Sequence, residues 1–153
     1  MDHPTRKKNR LANYDYASSG SYFITICTRN KEKLFGSVMV NCDECRMKLS
    51  LIGRIVRSHV QDVPKYYPSL ELDHFVVMPN HVHLLLTLKE QGMVSVSRVI
   101  NQLKGSVTKE VGQTIWQKLY HDRIVRNQEE YLKIWNYIDT NPQKWMQDCF
   151  YCE

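Results

Sequence analysis

Residues 70–88 read Leu70-Glu-Leu-Asp-His-Phe-Val-Val-Met-Pro-Asn-His-Val-His-Leu-Leu-Leu-Thr-Leu88. Two apolar segments of strand length lie on either side of Met78-Pro79-Asn80, whose proline and asparagine favour a turn. The pattern predicts two strands, Leu70 to Val77 and His81 to Leu88, that pair as an antiparallel hairpin.

Two histidines stand at the start of the second predicted strand. Side chains two apart in a strand point to the same face, so His81 and His83 share one face while Val82, Leu84 and Leu86 share the other. Two imidazoles presented together suit a divalent cation, although a complete site needs a third ligand. The alternative is a pair of half-buried structural histidines.

The remaining segments also show strand or helix periodicity. β-branched and aromatic residues predict a strand at 21–29 and a weaker one near 35–40, which turns at 41–44 and returns at 46–49. Apolar stripes predict helices behind Ser50, Ser95 and Asn127, the first ending before Pro68 and the last at or before Pro142. A further strand is expected over 115–125. Strands interspersed with helices predict an α+β domain with a mainly antiparallel sheet and helices packed on it.

Composition favours one basic domain. With 153 residues and 42% hydrophobic content, the chain is long enough for one core. No apolar run resembles a signal peptide or a membrane span, so we expect a cytoplasmic protein without a membrane partner. The net charge of +5 suits a polyanion, although many basic proteins bind no nucleic acid. We predict a flexible basic arm over residues 1–20 and a catalytic domain over 21–153.

Five cysteines in a chain without export signals indicate reduced thiols rather than a disulfide framework. Two Cys-x-x-Cys pairs, Cys42 with Cys45 and Cys149 with Cys152, each have the spacing of half a zinc site and could together form a four-sulfur structural site. More than a hundred residues separate the pairs, so only the fold could bring them together. Unrelated thiols are the alternative.

The stretch from His74 to Leu86 resembles the histidine strand of single-tyrosine HUH transposases, above all their REP-associated subgroup. Tyr137-Ile-Asp-Thr-Asn-Pro142 resembles that family's Tyr-Ile-x-x-Asn-Pro segment, and the likeness extends over nearly the whole chain. It implies a ferredoxin-like fold, a divalent metal (Mg²⁺ or Mn²⁺) and cleavage of single-stranded DNA near hairpins through a 5′-phosphotyrosine. His81, His83 and Asn141 match the metal ligands, and Tyr137 matches the nucleophile. The two cysteine pairs depart from the family pattern.

The position of Tyr137 on its helix is consistent with this role. At about 100° per residue, the last helix has a stripe containing Tyr131, Leu132, Ile134, Trp135 and Ile138, with Tyr131 and Trp135 near its middle. Tyr137 lies on the shoulder of that stripe, and Asn141 stands one turn further along. The alternatives are a surface tyrosine and a helix cap. Lys133, one turn before Tyr137, could favour the phenolate.

Eight basic residues are candidates for neutralising DNA phosphates: Arg6, Lys7, Lys8, Arg10, Arg98, Lys104, Lys109 and Lys133. Solvated helix faces are the alternative for those on helices. Tyr22, Trp116, Tyr120 and His121 could stack on unpaired bases or belong to the core, and the sequence does not separate the two.

Two other functions compete with a nicking enzyme. One is a non-catalytic protein of the same fold that binds single-stranded DNA or RNA hairpins, and the other is a metallohydrolase that activates water. An intact Tyr137 favours the nicking enzyme over the binding protein. Whether the protein works as a monomer or a homodimer stays open.

Overall fold

The computed structural model describes residues 20–41, 44–89 and 94–147 of the chain. Within these residues the strands are β1 (Gly20–Cys27), β2 (Gly36–Asn41), β3 (Glu44–Leu49), β4 (Leu70–Met78), β5 (His81–Leu88) and β6 (His121–Val125). The α-helices are α1 (Leu51–Tyr66), α2 (Val96–Val111) and α3 (Gln128–Asp139). Short 3-10 helices cover Arg29–Lys31 and Asn141–Gln147.

Four strands form one antiparallel sheet in the order β4-β5-β1-β6, and β2 pairs with β3 in a separate hairpin. The chain passes from β1 through α1 to β4, and from β5 through α2 to β6, so each half is a strand, a helix and a strand. This arrangement is ferredoxin-like, as expected, with the β2-β3 hairpin inserted before α1. The predicted hairpin of residues 70–88 is confirmed as β4 and β5.

Helices cover both faces of the sheet. Tyr22 and Ile24 of β1 and Leu84 and Leu86 of β5 point into the larger core, which α1 and α2 close. The alternate position Leu85 packs instead with Ile134 and Ile138 of α3. Since side chains alternate along β5, His81 and His83 share the α3 face with Leu85.

Each α-helix begins at the residue that the sequence indicated. The side chains of Ser50, Ser95 and Asn127 accept hydrogen bonds from backbone N–H groups three residues later. Such an N-cap stabilises a helix by about 1 kcal/mol. Gly112, with φ of 89°, ends α2 in the left-handed conformation that glycine adopts without strain.

The strand expected over 115–125 is wrong in its first half, because β6 covers only His121–Val125. Trp116 forms a single antiparallel bridge with Thr28, and the ammonium group of Lys104 donates to the carbonyl oxygens of Gln117 and Lys118. The Lys104 side chain therefore satisfies two backbone carbonyl oxygens that, in a strand, would accept hydrogen bonds from a neighbouring strand.

The predicted stripe of α3 is also displaced. Ile134 and Ile138 are buried, whereas Leu132 and Trp135 are exposed. Trp135 stacks on His74 at the rim, with 4.4 Å between ring centroids, so one of its faces is covered without entering the core. The inward direction of α3 thus lies nearer to Tyr137 than the hydrophobic pattern indicated.

Several predicted features lie outside the described residues. These are the basic arm with Arg6, Lys7, Lys8 and Arg10, and three of the four cysteines of the zinc prediction, Cys42, Cys149 and Cys152. Cys45 lies on β3 as a free thiol. The arm and the zinc site therefore stay predictions. In the part of the chain that the structure describes, no helix combines the length and the hydropathy required to cross a membrane.

Candidate active site

The two imidazoles lie side by side on β5 beneath α3. His81 and His83 are both buried, with 4.6 Å between their ring centroids. Nδ1 of His81 lies 2.8 Å from Oδ1 of Asn80, and Nδ1 of His83 lies 2.9 Å from Oγ1 of Thr25. In each ring the Nδ1 atom is therefore engaged by the protein, which leaves Nε2 as the nitrogen that could meet a ligand.

His83 is held in its neutral form. Burial, together with the charge of a protonated His81, lowers the pKa of His83 well below its ordinary value. Nε2 of His83 is buried and has no hydrogen-bond partner within the described residues. A neutral imidazole with a buried, unused nitrogen is the form that binds a metal ion.

Tyr137 comes from the last turn of α3 and contacts His83 directly. Its ring centroid is 5.3 Å from that of His83, and the two rings meet edge to face. Phe23 of β1 contacts both, stacking on His83 at 5.2 Å and meeting Tyr137 edge to face at 6.1 Å. One chain therefore places the phenol beside the histidine pair.

Asn141 opens the 3-10 helix that follows α3. Both atoms of its side-chain amide are buried and have no hydrogen-bond partner among the residues that the structure describes. Four residues later, Trp145 stacks on His81 with 6.2 Å between centroids, so this 3-10 helix lies against the histidine pair. A buried amide without a hydrogen bond costs about 1–3 kcal/mol, a cost that a bound ligand can remove.

The donors fit a divalent ion. Two imidazoles and a carboxamide oxygen form a set that first-row divalent ions accept, with positions left for substrate oxygens. Groups of three or more His, Cys, Asp or Glu side chains placed to hold a metal do not occur within residues 20–41, 44–89 and 94–147. Asn141 supplies a donor of another type, a carboxamide oxygen.

A cleft of about 470 Å³ opens beside Tyr137. Arg123 of β6 extends over it and is held by Glu130, at 2.6 Å between Nη2 and Oε2. Lys133 lies on the same cleft, paired with Glu129 at 3.5 Å. The Arg126 backbone N–H and the Arg123 guanidinium lower the pKa of Glu130, which keeps it ionised. The cleft thus combines an aromatic floor at Phe23 with two exposed cations.

The structure separates the other predicted DNA contacts from this site. Arg98, Lys104 and Lys109 lie on α2, across the sheet from the histidines. Burial lowers the pKa of Lys104, and its ammonium already bonds two backbone carbonyls. Of the aromatic candidates, Tyr22, Trp116 and Tyr120 are buried, whereas His121 is exposed. Thr25 pairs with both His121 and His83, so His121 shares the histidine face of the sheet.

Sequence reasoning missed five residues of the site: Phe23, Thr25, Asn80, Arg123 and Trp145. Alternation along β1 puts Phe23 and Thr25 on one face, but only the pairing of β1 with β5 shows that this is the face of His83. Asn80 was interpreted as a turn residue. Arg123 and Trp145 carried no signal that distinguished them from surface and core residues.

Comparisons with known proteins agree on one family. Residues 16–141 match the family described as "Transposase IS200 like". An uncharacterized protein of Haemophilus influenzae is 31% identical over 97% of this chain and 94% of its own length. A REP-associated tyrosine transposase of Escherichia coli is 27% identical over 84% of this chain and 70% of its own length.

Two solved structures share the fold. The structure of a REP-associated tyrosine transposase bound to a REP hairpin has a TM-score of 0.68 and 26% identity, and covers 88% of this chain and 73% of its own. A putative transposase from Deinococcus radiodurans, at 18% identity and a TM-score of 0.51, shares the fold. The chain belongs to the IS200-like family of single-tyrosine HUH transposases and is similar to their REP-associated members.

Proposed function

We propose that this protein nicks single-stranded DNA and joins strands through a 5′-phosphotyrosine at Tyr137, with a divalent ion held by His81, His83 and Asn141. The observation that carries the proposal is the contact between the Tyr137 and His83 rings, 5.3 Å apart, beside a buried imidazole nitrogen without a hydrogen bond. A nucleophile and a ligand pair from distant parts of the sequence meet at one point.

The chain's own residues account for the group transfer. The Tyr137 oxygen attacks phosphorus, a tyrosyl O–P bond forms, and the P–O3′ bond breaks. The phenolic proton ends on the departing 3′-hydroxyl, and a later 3′-hydroxyl reverses the step to join strands without ATP. When bound, Mg²⁺ or Mn²⁺ would stabilise negative charge on a nonbridging phosphate oxygen. Phe23 meets the Tyr137 ring edge to face, and both rings line the cleft together with Ile134.

A DNA hairpin is the proposed partner. The Escherichia coli relative is a REP-associated tyrosine transposase, and a solved structure of such a protein has a REP hairpin bound. In this chain the cleft beside Tyr137 offers Arg123 and Lys133 to phosphates, and Phe23 offers a ring to an unpaired base. Arg98, Lys104, Lys109 and the arm with Arg6, Lys7, Lys8 and Arg10 stay proposed contacts, as does a cytoplasmic location.

The test is covalent capture. The purified protein is incubated with labelled single-stranded hairpin oligonucleotides and Mn²⁺, and the products are separated on a denaturing protein gel. We expect a labelled protein band in the wild type and in Tyr131→Phe, and none in Tyr137→Phe. Peptide mass spectrometry should place the nucleotide on Tyr137.

Other outcomes identify the competing functions. A free 5′-phosphate product that Tyr137→Phe still makes would indicate a metallohydrolase that uses water. Hairpin binding without cleavage in every condition would indicate a binding protein. A nucleotide on any tyrosine other than Tyr137 would overturn the assignment of the nucleophile.

A further inference from the structure

Asn80, in the turn before β5, is fixed in orientation by two hydrogen bonds. Its Nδ2 donates to the backbone carbonyl of Lys31 at 3.3 Å, and its Oδ1 lies 2.8 Å from Nδ1 of His81. A carbonyl oxygen only accepts hydrogen bonds, so the amide nitrogen has to face Lys31 and the amide oxygen has to face His81. Nδ1 of His81 is consequently the donor and carries the ring proton.

This assignment determines the other nitrogen of the same ring. A neutral imidazole has one N–H and one lone pair, so a proton on Nδ1 leaves the lone pair of His81 on Nε2. The backbone of Asn80 is also held in place. The Asn80 carbonyl oxygen accepts hydrogen bonds from the backbone N–H and from Oγ1 of Thr28. The turn between β4 and β5 is thus anchored to the end of β1.

Thr25, on the neighbouring strand β1, contacts Nδ1 of His83 as Asn80 contacts Nδ1 of His81. Its Oγ1 lies 2.9 Å from Nδ1 of His83, and the two residues are opposite each other in the β1-β5 register. When the hydroxyl accepts from Nδ1–H, the lone pair of His83 lies on Nε2, which is buried without another hydrogen bond among described residues. The reverse assignment would place an N–H there, where it would repel a cation.

We infer that Asn80 and Thr25 are positioning residues that hold His81 and His83 in the Nδ1–H tautomer, so that both Nε2 lone pairs are presented to one divalent ion before it binds. The inference rests on the metal site of the proposed function. Partners of this kind fix the ring orientation of metal-binding histidines, and their loss lowers metal affinity about 10–100-fold.

The first measurement uses the metal-free protein. Long-range ¹H–¹⁵N NMR of ¹⁵N-histidine-labelled protein at about pH 8, above the ordinary histidine pKa, reports which nitrogen of each ring carries the proton. We expect single Nδ1–H tautomers for His81 and His83 in the wild type, assigned by loss of signals in His81→Gln and His83→Gln. A mixture of tautomers, or a proton on Nε2 of either ring, would overturn the inference.

The second measurement compares matched variants. Thr25→Val keeps the side-chain shape and removes the hydroxyl, whereas Thr25→Ser keeps the hydroxyl. We expect Thr25→Val to lower the Mn²⁺ affinity, measured by calorimetry, at least tenfold and to let His83 populate both tautomers. Thr25→Ser should keep the wild-type affinity and the single His83 tautomer. Unchanged Mn²⁺ affinity and an unchanged tautomer in a folded Thr25→Val protein would refute the role of Thr25.

The turn is tested in the same way. Asn80→Asp keeps an acceptor for Nδ1–H of His81, whereas Asn80→Ala removes it. Only Asn80→Ala should therefore let His81 populate both neutral tautomers. A His81 ring that keeps its single Nδ1–H tautomer in a folded Asn80→Ala protein would refute the role of Asn80. If both wild-type rings are Nδ1–H but the protein binds no Mn²⁺, the proposed metal site fails while the tautomer assignment stands.

Discussion

The ring of Tyr137 on α3 meets the ring of His83 on β5 edge to face, with 5.3 Å between centroids. Both residues belong to one chain, and the C-terminal 3-10 helix closes the same site through Trp145 and His81. Within this chain the proposed nucleophile therefore lies beside the proposed metal ligands.

This relationship predicts that defective subunits do not complement each other. A mixture of His83→Ala and Tyr137→Phe proteins should be as inactive in covalent capture as either protein alone, because neither chain has a complete site. If a homodimer exchanged α3 between subunits, half of the dimers in an equal mixture would have one intact site, which gives about a quarter of wild-type activity. Recovery at that level would contradict a site within one chain.

Asn141→Ala should weaken metal binding while leaving stability nearly unchanged. The buried amide of Asn141 has no described hydrogen-bond partner, and its burial therefore costs free energy. In the absence of metal, Asn141→Ala removes this cost, which offsets the packing that is lost. The free energy of unfolding should therefore change by less than about 1 kcal/mol. Mn²⁺ affinity should fall at least about tenfold.

Urea unfolding in chelator and Mn²⁺ calorimetry measure these two quantities. Asn136→Ala, at an exposed position on the preceding helix α3, is the control and should alter neither. An Asn141→Ala protein that loses several kcal/mol of stability yet binds Mn²⁺ normally would show that Asn141 is a structural residue.

Lys133, one of the two exposed cations at the cleft, should contribute to the salt dependence of DNA binding. Lys133→Gln removes one proposed phosphate contact, so the slope of log K against log salt for single-stranded DNA should become shallower by about 0.7. Lys65→Gln, at the exposed end of α1, is the matched control and should leave the slope unchanged. Equal slopes for the wild type and Lys133→Gln would remove Lys133 from the interface.

The basic arm can be tested in the same titration. Deletion of residues 1–10 removes Arg6, Lys7, Lys8 and Arg10, and we expect a shallower slope because fewer counterions are released on binding. The fold should persist, since the described strands and helices all lie within residues 20–147. An unchanged slope would show that the arm does not touch the DNA backbone.

Tyr131 should contribute stability that depends on alkaline pH. Its hydroxyl donates to Oδ2 of Asp73 at 2.8 Å, and burial followed by this hydrogen bond to Asp73 raises its pKa to about 12. A raised pKa favours the protonated phenol, so the contribution is complete below about pH 10 and is lost as pH rises toward 12.

Tyr131→Phe should therefore lower the free energy of unfolding by about 1 kcal/mol at pH 8, and the difference from wild type should shrink above pH 10. Urea unfolding at several pH values measures this difference. A constant difference up to pH 12 would contradict the assigned hydrogen bond, and loss of covalent capture in Tyr131→Phe would contradict its structural role.

The amino-acid sequence by itself determined the local elements and the shared face of the histidine pair. Apolar alternation predicted β4 and β5, the polar residues Ser50, Ser95 and Asn127 predicted the helix starts, and the spacing of His81 and His83 put both imidazoles on one face. These features depend on contacts between residues close in sequence, which periodicity and capping chemistry describe.

Only the tertiary structure decided which distant groups meet. The β1-β5 register brings Thr25 to His83, and the packing of α3 directs Tyr137 inward while Trp135 stays at the rim on His74. Hydrophobic pattern alone put Trp135 and Leu132 on the apolar stripe of the helix, yet both are exposed, because apolar character does not report which side of a helix the sheet will cover. Contacts between residues far apart in sequence depend on the packing of whole elements, and the active site is made of such contacts.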